Sequence, residues 1–378
     1  MRMSGFFPAS RTRGLPDAPV ATAVFRQRLR LAFMALLVLV GGAGCAPTTE
    51  IARPAGSDVL EEQQWQRIEA EKVYLKRKSH LQDLAWRIRT AGLQLCPEDH
   101  IRSVGWVWKD TATLDNKDRK LFSGVYGLKE GIVITHVIFG SPAAYAGLRE
   151  LDVIRSVNGV AIPSANATEA FVRSLEVLSM PSSNQNLSLG IERDEEQLTL
   201  EIVPVKTCSF PVVLIKNDDL NAAADGKAIY ITAGMYRFAE SDEELMTVIA
   251  HEFAHNSEGH IEKRTGNYLL GSIFDIIAAG YGVNTQGTFG NLGGSLYSQD
   301  FEREADYVGM YYLANAGVDT AVVNEFWRRM AIEHPDGIRE HYNSSHPSTA
   351  ERWANLKATH EEIEQKLVSE AALLPERK

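Results

Sequence analysis

Ser241 to Asn256 reads SDEELMTVIAHEFAHN, an acidic start followed by an apolar run and two histidines four residues apart. Ser241 with Glu244 three residues on is a capping box, and acids in a first turn suit the positive end of a helix. The helix it opens carries Leu245, Val248 and Ile249, followed by His251-Glu252-Phe253-Ala254-His255. Positions i and i+4 lie one above the other, so both imidazoles can reach one metal ion. Glu252 projects close to that ion without needing to ligate it. There it can take a proton from an attacking water and return it to a leaving amine. Zinc fits two nitrogens and one oxygen with a fourth position open. The other reading, a solvated polar face, sits poorly behind an apolar stretch with a good cap.

A third ligand has to come from elsewhere. His260 is five residues beyond His255 and, along an unbroken helix, points roughly 140° away from the pair. Phe301-Glu302-Arg303-Glu304-Ala305-Asp306 is the better source. Glu302 and Asp306 share a helix face at i, i+4, with Glu304 facing away. Glu302 is expected to ligate and Asp306 to hold a ligating histidine by its remaining N–H. The alternative is a pair of exposed acids.

Upstream, Val212 to Ile215 and Ala228 to Thr232 read as strands joined by a loop-rich connection through Asn217-Asp218-Asp219 and Asn221 to Gly226. From about Leu121 to Val205 the texture differs. Gly131 to Val137 and Asp152 to Asn158-Gly159 are strands, the second ending in a turn dipeptide. Alternation resumes in Leu187 to Arg193 and Leu198 to Ile202. Gly140-Ser141-Pro142-Ala143-Ala144-Tyr145-Ala146-Gly147-Leu148 is a turn into a short helix of small residues. This string resembles a bacterial PDZ domain, with Leu151 where that family commonly has Gly. The resemblance implies a peptide ligand added as a strand to a sheet edge; a spacer role is the alternative.

Before it, Asp58 to Ala91 has apolar residues at three-to-four spacing and no Pro or Gly until Gly92, so a helix is expected. Ser103 to Trp108 is a strand candidate, followed by a polar stretch from Lys109 to Lys120. Residues 1–44 hold six Arg and one acid, Asp17, so they contribute +5 to a net charge of −10 and leave −15 for the rest of the 378 residues. So acidic a body is a poor partner for nucleic acid or anionic lipid. Leu31 to Val40 is an apolar run of a length suited to a secretory signal rather than a span. It runs through Gly41-Gly42-Ala43-Gly44 to Cys45, which resembles a bacterial lipoprotein signal with Cys45 as the lipidated residue. Ala46 after it favours the outer membrane of a Gram-negative cell. The other cysteines, Cys96 and Cys208, are even in number in an exported chain and are expected to pair, two separate thiols being the alternative. A bridge there makes the PDZ-like unit an insertion.

HEFAHN with YSQDFEREAD resembles the zinc metallopeptidase family of HtpX and the CAAX prenyl proteases, within the gluzincins, from about Pro211 to Leu356. The signal, helix and PDZ-like unit resemble its periplasmic lipoprotein branch. The resemblance implies one Zn2+ held by His251, His255 and Glu302, Glu252 as catalytic base, and a substrate strand paired against the edge at Asn221-Ala222. Gln299 stands where an Arg is common. Tyr268 to Gly282 is apolar but broken by Asp275, and is expected to pack as a helix on the active-site helices. His346 in His346-Pro347-Ser348 is a candidate oxyanion donor or latch on the open zinc position, or a cap for the helix from Ala350.

The organisation expected is a signal over 1–44, a tether over 45–57, a helix and strand over 58–120, a PDZ-like domain over 121–206 and a protease domain over 207–378. The class is α+β: a mainly helical gluzincin domain with a small sheet, and an inserted β-rich PDZ-like domain. The function expected is a zinc endopeptidase of the periplasm, lipid-anchored to the outer membrane, acting on unfolded or misassembled envelope proteins. The alternative is a PDZ-bearing chaperone or assembly factor with a latched, weakly active metal cleft.

Overall fold

A computed structural model describes residues 54–127, 129–179, 185–266, 298–333 and 350–377. Cys45, His346, the signal and the 268–282 segment lie outside these. The chain divides into two compact units, Met1–Glu62 and Gln63–Lys378. Among the described residues no helix is long and apolar enough to cross a membrane.

Helix α1 (Gly56–Ala91) buries Leu81, Leu84, Ala85, Trp86 and Ile88 in its last turns, the spacing of one helical face. Trp65 and Val73, which share the apolar periodicity, are exposed. The buried face joins a core with Val212, Leu214, Ile229, Ile231, Val248, Ile249 and Phe253. It stops at Gly92, where a Cβ would lie 2.3 Å from the Tyr312 ring.

Two short strands follow in place of the single strand expected over Ser103 to Trp108. They are β1 (His100–Ser103) and β2 (Trp106–Asp110). Gly105 separates them with φ +78°, and a Cβ there would sit 2.2 Å from Cβ of Ser141, so only glycine makes this corner. Beyond β2 the polar stretch folds as α2 (Asn116–Tyr126), capped by Asp115 accepting from Asp118 N at 2.7 Å. The chain continues through β3 (Ile132–Val137), α3 (Pro142–Tyr145), β4 (Val153–Val157), β5 (Val160–Ala161), α4 (Ala167–Ser174), β6 (Leu187–Arg193) and β7 (Glu196–Ile202). One sheet has the order β2-β3-β4-β6-β7, with β5 paired to β4. Its own core holds Val104, Ile132, Ile134, Ile154, Phe171, Leu189 and Ile191. The β-rich module therefore takes in Trp106–Asp110, and a boundary at 121 cuts off its edge strand. Leu151, in the place of the usual Gly, has φ 70°.

Strand β8 (Val205–Cys208) returns antiparallel to β1, with His100 opposite Cys208. Cys96 and Cys208 are joined by a disulfide, Cα to Cα 6.0 Å, across 112 residues of sequence. The module is thus inserted through a two-stranded neck closed by a covalent bond. Replacing both cysteines by serine is expected to cost about 2–5 kcal/mol of unfolding free energy, since the freed chain regains the closure entropy of a long loop. Denaturant melts of the variant beside the oxidised wild type check this.

The module also touches α1. His136 on β3 places Nε2 2.9 Å from Asp83 of α1 and Nδ1 3.1 Å from Glu150. Burial works to lower its pKa, but the two carboxylates outweigh it and push it up to about 9.

After the neck come β9 (Val212–Ile215), β10 (Ala222–Ala224) and β11 (Ile229–Thr232), in the order β10-β11-β9 with β9 parallel to β11. The expected loop between the two strands thus holds a third, β10, which is an edge. Helices α5 (Ala233–Phe238), α6 (Asp242–Ser257), α7 (Ser298–Asn315), α8 (Ala321–Glu333) and α9 (Ala350–Val368) complete the described fold. In α6 every residue from Leu245 to Asn256 is buried, so this helix is enclosed by neighbours on all sides.

Candidate metal centre

Local chemistry places α6 firmly. Ser241 Oγ accepts from Glu244 N at 3.3 Å, and the Glu244 carboxylate accepts from Glu240 N at 2.7 Å. Arg329 of α8 pairs with Glu244, and His80 of α1 reaches Asp242 at 2.9 Å. Near the other end Asn256 is buried, accepting from Gly226 N at 2.8 Å and donating to Ala228 O at 3.2 Å. These two bonds tie the helix to the turn between β10 and β11.

Helix α7 packs along α6 with Gly309 against His251. A Cβ at 309 would lie 3.2 Å from both Cα and N of His251, so the close approach of the two backbones depends on glycine. This crossing brings Glu302 to the histidines. His251 Nε2 and His255 Nε2 are 3.2 Å apart, and each is 3.4 Å from an oxygen of Glu302. The three groups offer ligand atoms all within 4.8 Å of one another. His251 and His255 are buried and Glu302 partly so. Glu252, in the same turn, is 2 % exposed.

Asp306 lies behind His251, its Oδ1 2.9 Å from Nδ1. That contact directs the other nitrogen, Nε2, toward Glu302. Burial opposes ionisation of Asp306, but the Arg352 guanidinium and His251 hold its pKa below the usual carboxylate value. For His251, burial works to lower the pKa, and the bonds to Asp306 and Glu302 push it up to about 9. Arg352 donates from Nε to Asp306 Oδ2 at 2.7 Å and from Nη2 to Oδ1 at 2.6 Å. Its guanidinium stacks 3.6 Å above the Trp327 ring. Sequence reasoning passed over Arg352. The signal was present, because Arg352 shares a stripe with Leu356, Thr359 and Ile363, all buried.

Two expectations about neighbouring residues need correction. The wheel argument that swings His260 away assumes a continuous helix, but α6 ends at Ser257. Gly259 takes φ +63° and donates to Asn256 O at 3.0 Å, turning the chain before residues 260–266 become helical again. His260 thereby folds back on His255, Nδ1 to Nδ1 3.0 Å. Glu304, expected to face away, meets His260 Nε2 at 2.9 Å. Ala222 opens the edge strand β10, which runs beside α6, and Asn221 immediately precedes it. His346 and Cys45 are not among the described residues.

Two helix-borne imidazoles and a carboxylate from the helix packed on them, with an acid beside the first histidine, form a group that could hold a metal ion, at the spacing of the H-E-x-x-H metalloprotease motif. Residues 193–360 match the model of peptidase family M48, and residues 112–203 match that of the PDZ domain. Beta-barrel assembly-enhancing protease of Yersinia pestis is 28% identical over 138 residues, covering 32% of this chain and 28% of that one. Its Escherichia coli K12 namesake is 28% identical over 141 residues, 33% of this chain and 29% of that one. Mitochondrial metalloendopeptidase OMA1 of Arabidopsis thaliana is 30% identical over 151 residues, 38% and 30% of the two chains. The chain thus matches less than a third of the length of each.

Proposed function

We propose that this chain is a zinc-dependent endopeptidase of the cell envelope, anchored to the outer membrane through a lipid on Cys45, that cuts unfolded or misassembled envelope proteins. The observation that carries this reading is the convergence of His251 Nε2, His255 Nε2 and the Glu302 carboxylate, within 4.8 Å of one another. Two neutral imidazoles and one carboxylate form the donor set of a catalytic zinc site. Bound there, zinc supplies a Lewis acid for the scissile carbonyl and for the attacking water.

The chain's own residues do the rest. Asp306 keeps His251 turned toward the site, and Arg352 keeps Asp306 ionised and in place. Glu252 accepts the proton of the attacking water and delivers it to the leaving amine. An extended substrate lies along the edge of β10 at Asn221-Ala222, where main-chain groups hold it in register beside α6. In the PDZ domain the edge strand β2 faces α4, with Trp106 and Trp108 packed on Phe171 at 6.0 and 4.9 Å between ring centres. That edge is the place for an extended peptide ligand, and so for holding a substrate before it is cut. The names of the relatives, which speak of β-barrel assembly, support an envelope substrate.

The direct test is cleavage of an unfolded protein by the purified chain beside metal analysis. One zinc per chain is expected, with activity lost on chelation and restored by zinc. Cleavage that survives complete removal of metal, or a zinc-loaded chain that cuts nothing, overturns the proposal.

A further inference from the structure

His251 and His255 are held by different means. His251 leans on a carboxylate, Asp306, whereas His255 leans on another imidazole. A neutral imidazole carries one N–H and one lone pair, so this contact has a definite proton order. His255 Nε2 faces Glu302 Oε1 and His251 Nε2, and to offer a lone pair there it must carry its proton on Nδ1. That N–H points at His260 Nδ1, 3.0 Å away, which must then accept. The proton of His260 therefore resides on Nε2 and is donated to Glu304 Oε2 at 2.9 Å. With a lone pair on His255 Nε2, one arrangement satisfies the contacts of this series.

The surroundings hold His260 in that role. Its side chain is 2 % exposed, and its ring stacks on Phe301 with centroids 4.7 Å apart and planes 20° apart. Phe301 and Glu304 stand on the same turn of α7 as Glu302. One stretch of helix, 301–306, thus presents a carboxylate to the site, a second to His251, and a ring and a third carboxylate to His260.

We infer that His260, together with Glu304, is a positioning residue of the metal centre that sets the tautomer and ring rotation of His255. This rests on the metallopeptidase reading of the site. A histidine kept only to fill space would do as well with any side chain of its size.

The test uses zinc affinity, measured by chelator competition, with the melting temperature of the metal-free protein alongside. His260→Leu keeps an apolar body against Phe301 and offers no acceptor. It is expected to bind zinc about 10–100-fold more weakly than wild type and to change the visible bands of the cobalt-substituted protein. His260→Asn returns an acceptor at the Nδ1 position and is expected to recover most of the affinity. Glu304→Ala, at a part-exposed side chain, is expected to weaken zinc severalfold without disturbing the fold, and serves where His260→Leu does not fold. Wild-type zinc affinity in both His260→Leu and Glu304→Ala overturns the inference. So does a loss that merely follows destabilisation of the metal-free protein and that Asn does not restore. A wild-type chain that binds zinc but cuts nothing removes the peptidase proposal and leaves this one standing. A wild-type chain that binds no zinc removes both.

Discussion

Glu252→Gln is expected to lower the rate of cleavage of an unfolded protein by about 10²–10⁴-fold while zinc content stays at one per chain. The substitution keeps the volume of a side chain only 2 % exposed, so the closely enclosed α6 need not repack. It removes the one property the proposed role needs, a carboxylate that can gain and lose a proton. Metal affinity stays because His251, His255 and Glu302 are untouched. Rates at saturating substrate, together with zinc analysis of the same sample, check the result. Near-normal turnover in the variant would remove Glu252 from the chemistry. Lost zinc would make it a structural member of the centre instead.

Arg352→Met is expected to cost about 3–5 kcal/mol of stability and to weaken metal binding with it. The Arg352 and Asp306 side chains are 6 % and 7 % exposed, and two short hydrogen bonds join them. Methionine leaves the Asp306 carboxylate buried beside His251 without its guanidinium. Desolvation, already opposing its charge, then acts against a single remaining partner. The sign with pH follows. A carboxyl held below its usual pKa contributes stability that is complete above the unfolded value near 4 and disappears as the pH falls through the folded one. The deficit of Arg352→Met should accordingly be full at pH 7 and shrink in acid. Urea unfolding of wild type and variant at both pH values measures this. Adding Asp306→Asn removes the stranded charge and should recover part of the loss, and a cost below about 1 kcal/mol would show that the pair carries little.

What could be read in advance divides by the range of the interactions. The H-E-x-x-H spacing, the Ser241 cap and the i, i+4 pair Glu302 and Asp306 are local relations on single helices, and the described site displays that geometry. Strands β9 and β11 and the alternation of β6 likewise follow from side-chain period. β10 did not: Ala222-Ala223-Ala224 has little strand propensity and is extended because it pairs with β11. The corner at Gly105 depends on Ser141, thirty-six residues on, which no local pattern reveals. His260 was misjudged because one left-handed glycine, Gly259, cancelled the helical wheel. Arg352 sits on an otherwise apolar stripe, and its partner is forty-six residues earlier on another helix.

The neck closed by Cys96 and Cys208 has a bearing on survival among other proteases. A single backbone cut anywhere from residue 97 to 207 leaves both fragments in one covalent molecule, because the bond spans every such cut. The half that carries His251, His255 and Glu302 then keeps α1, whose buried face is part of its own core. A nick outside that interval has no such safeguard. The inserted domain can therefore be damaged at its surface without the molecule falling apart.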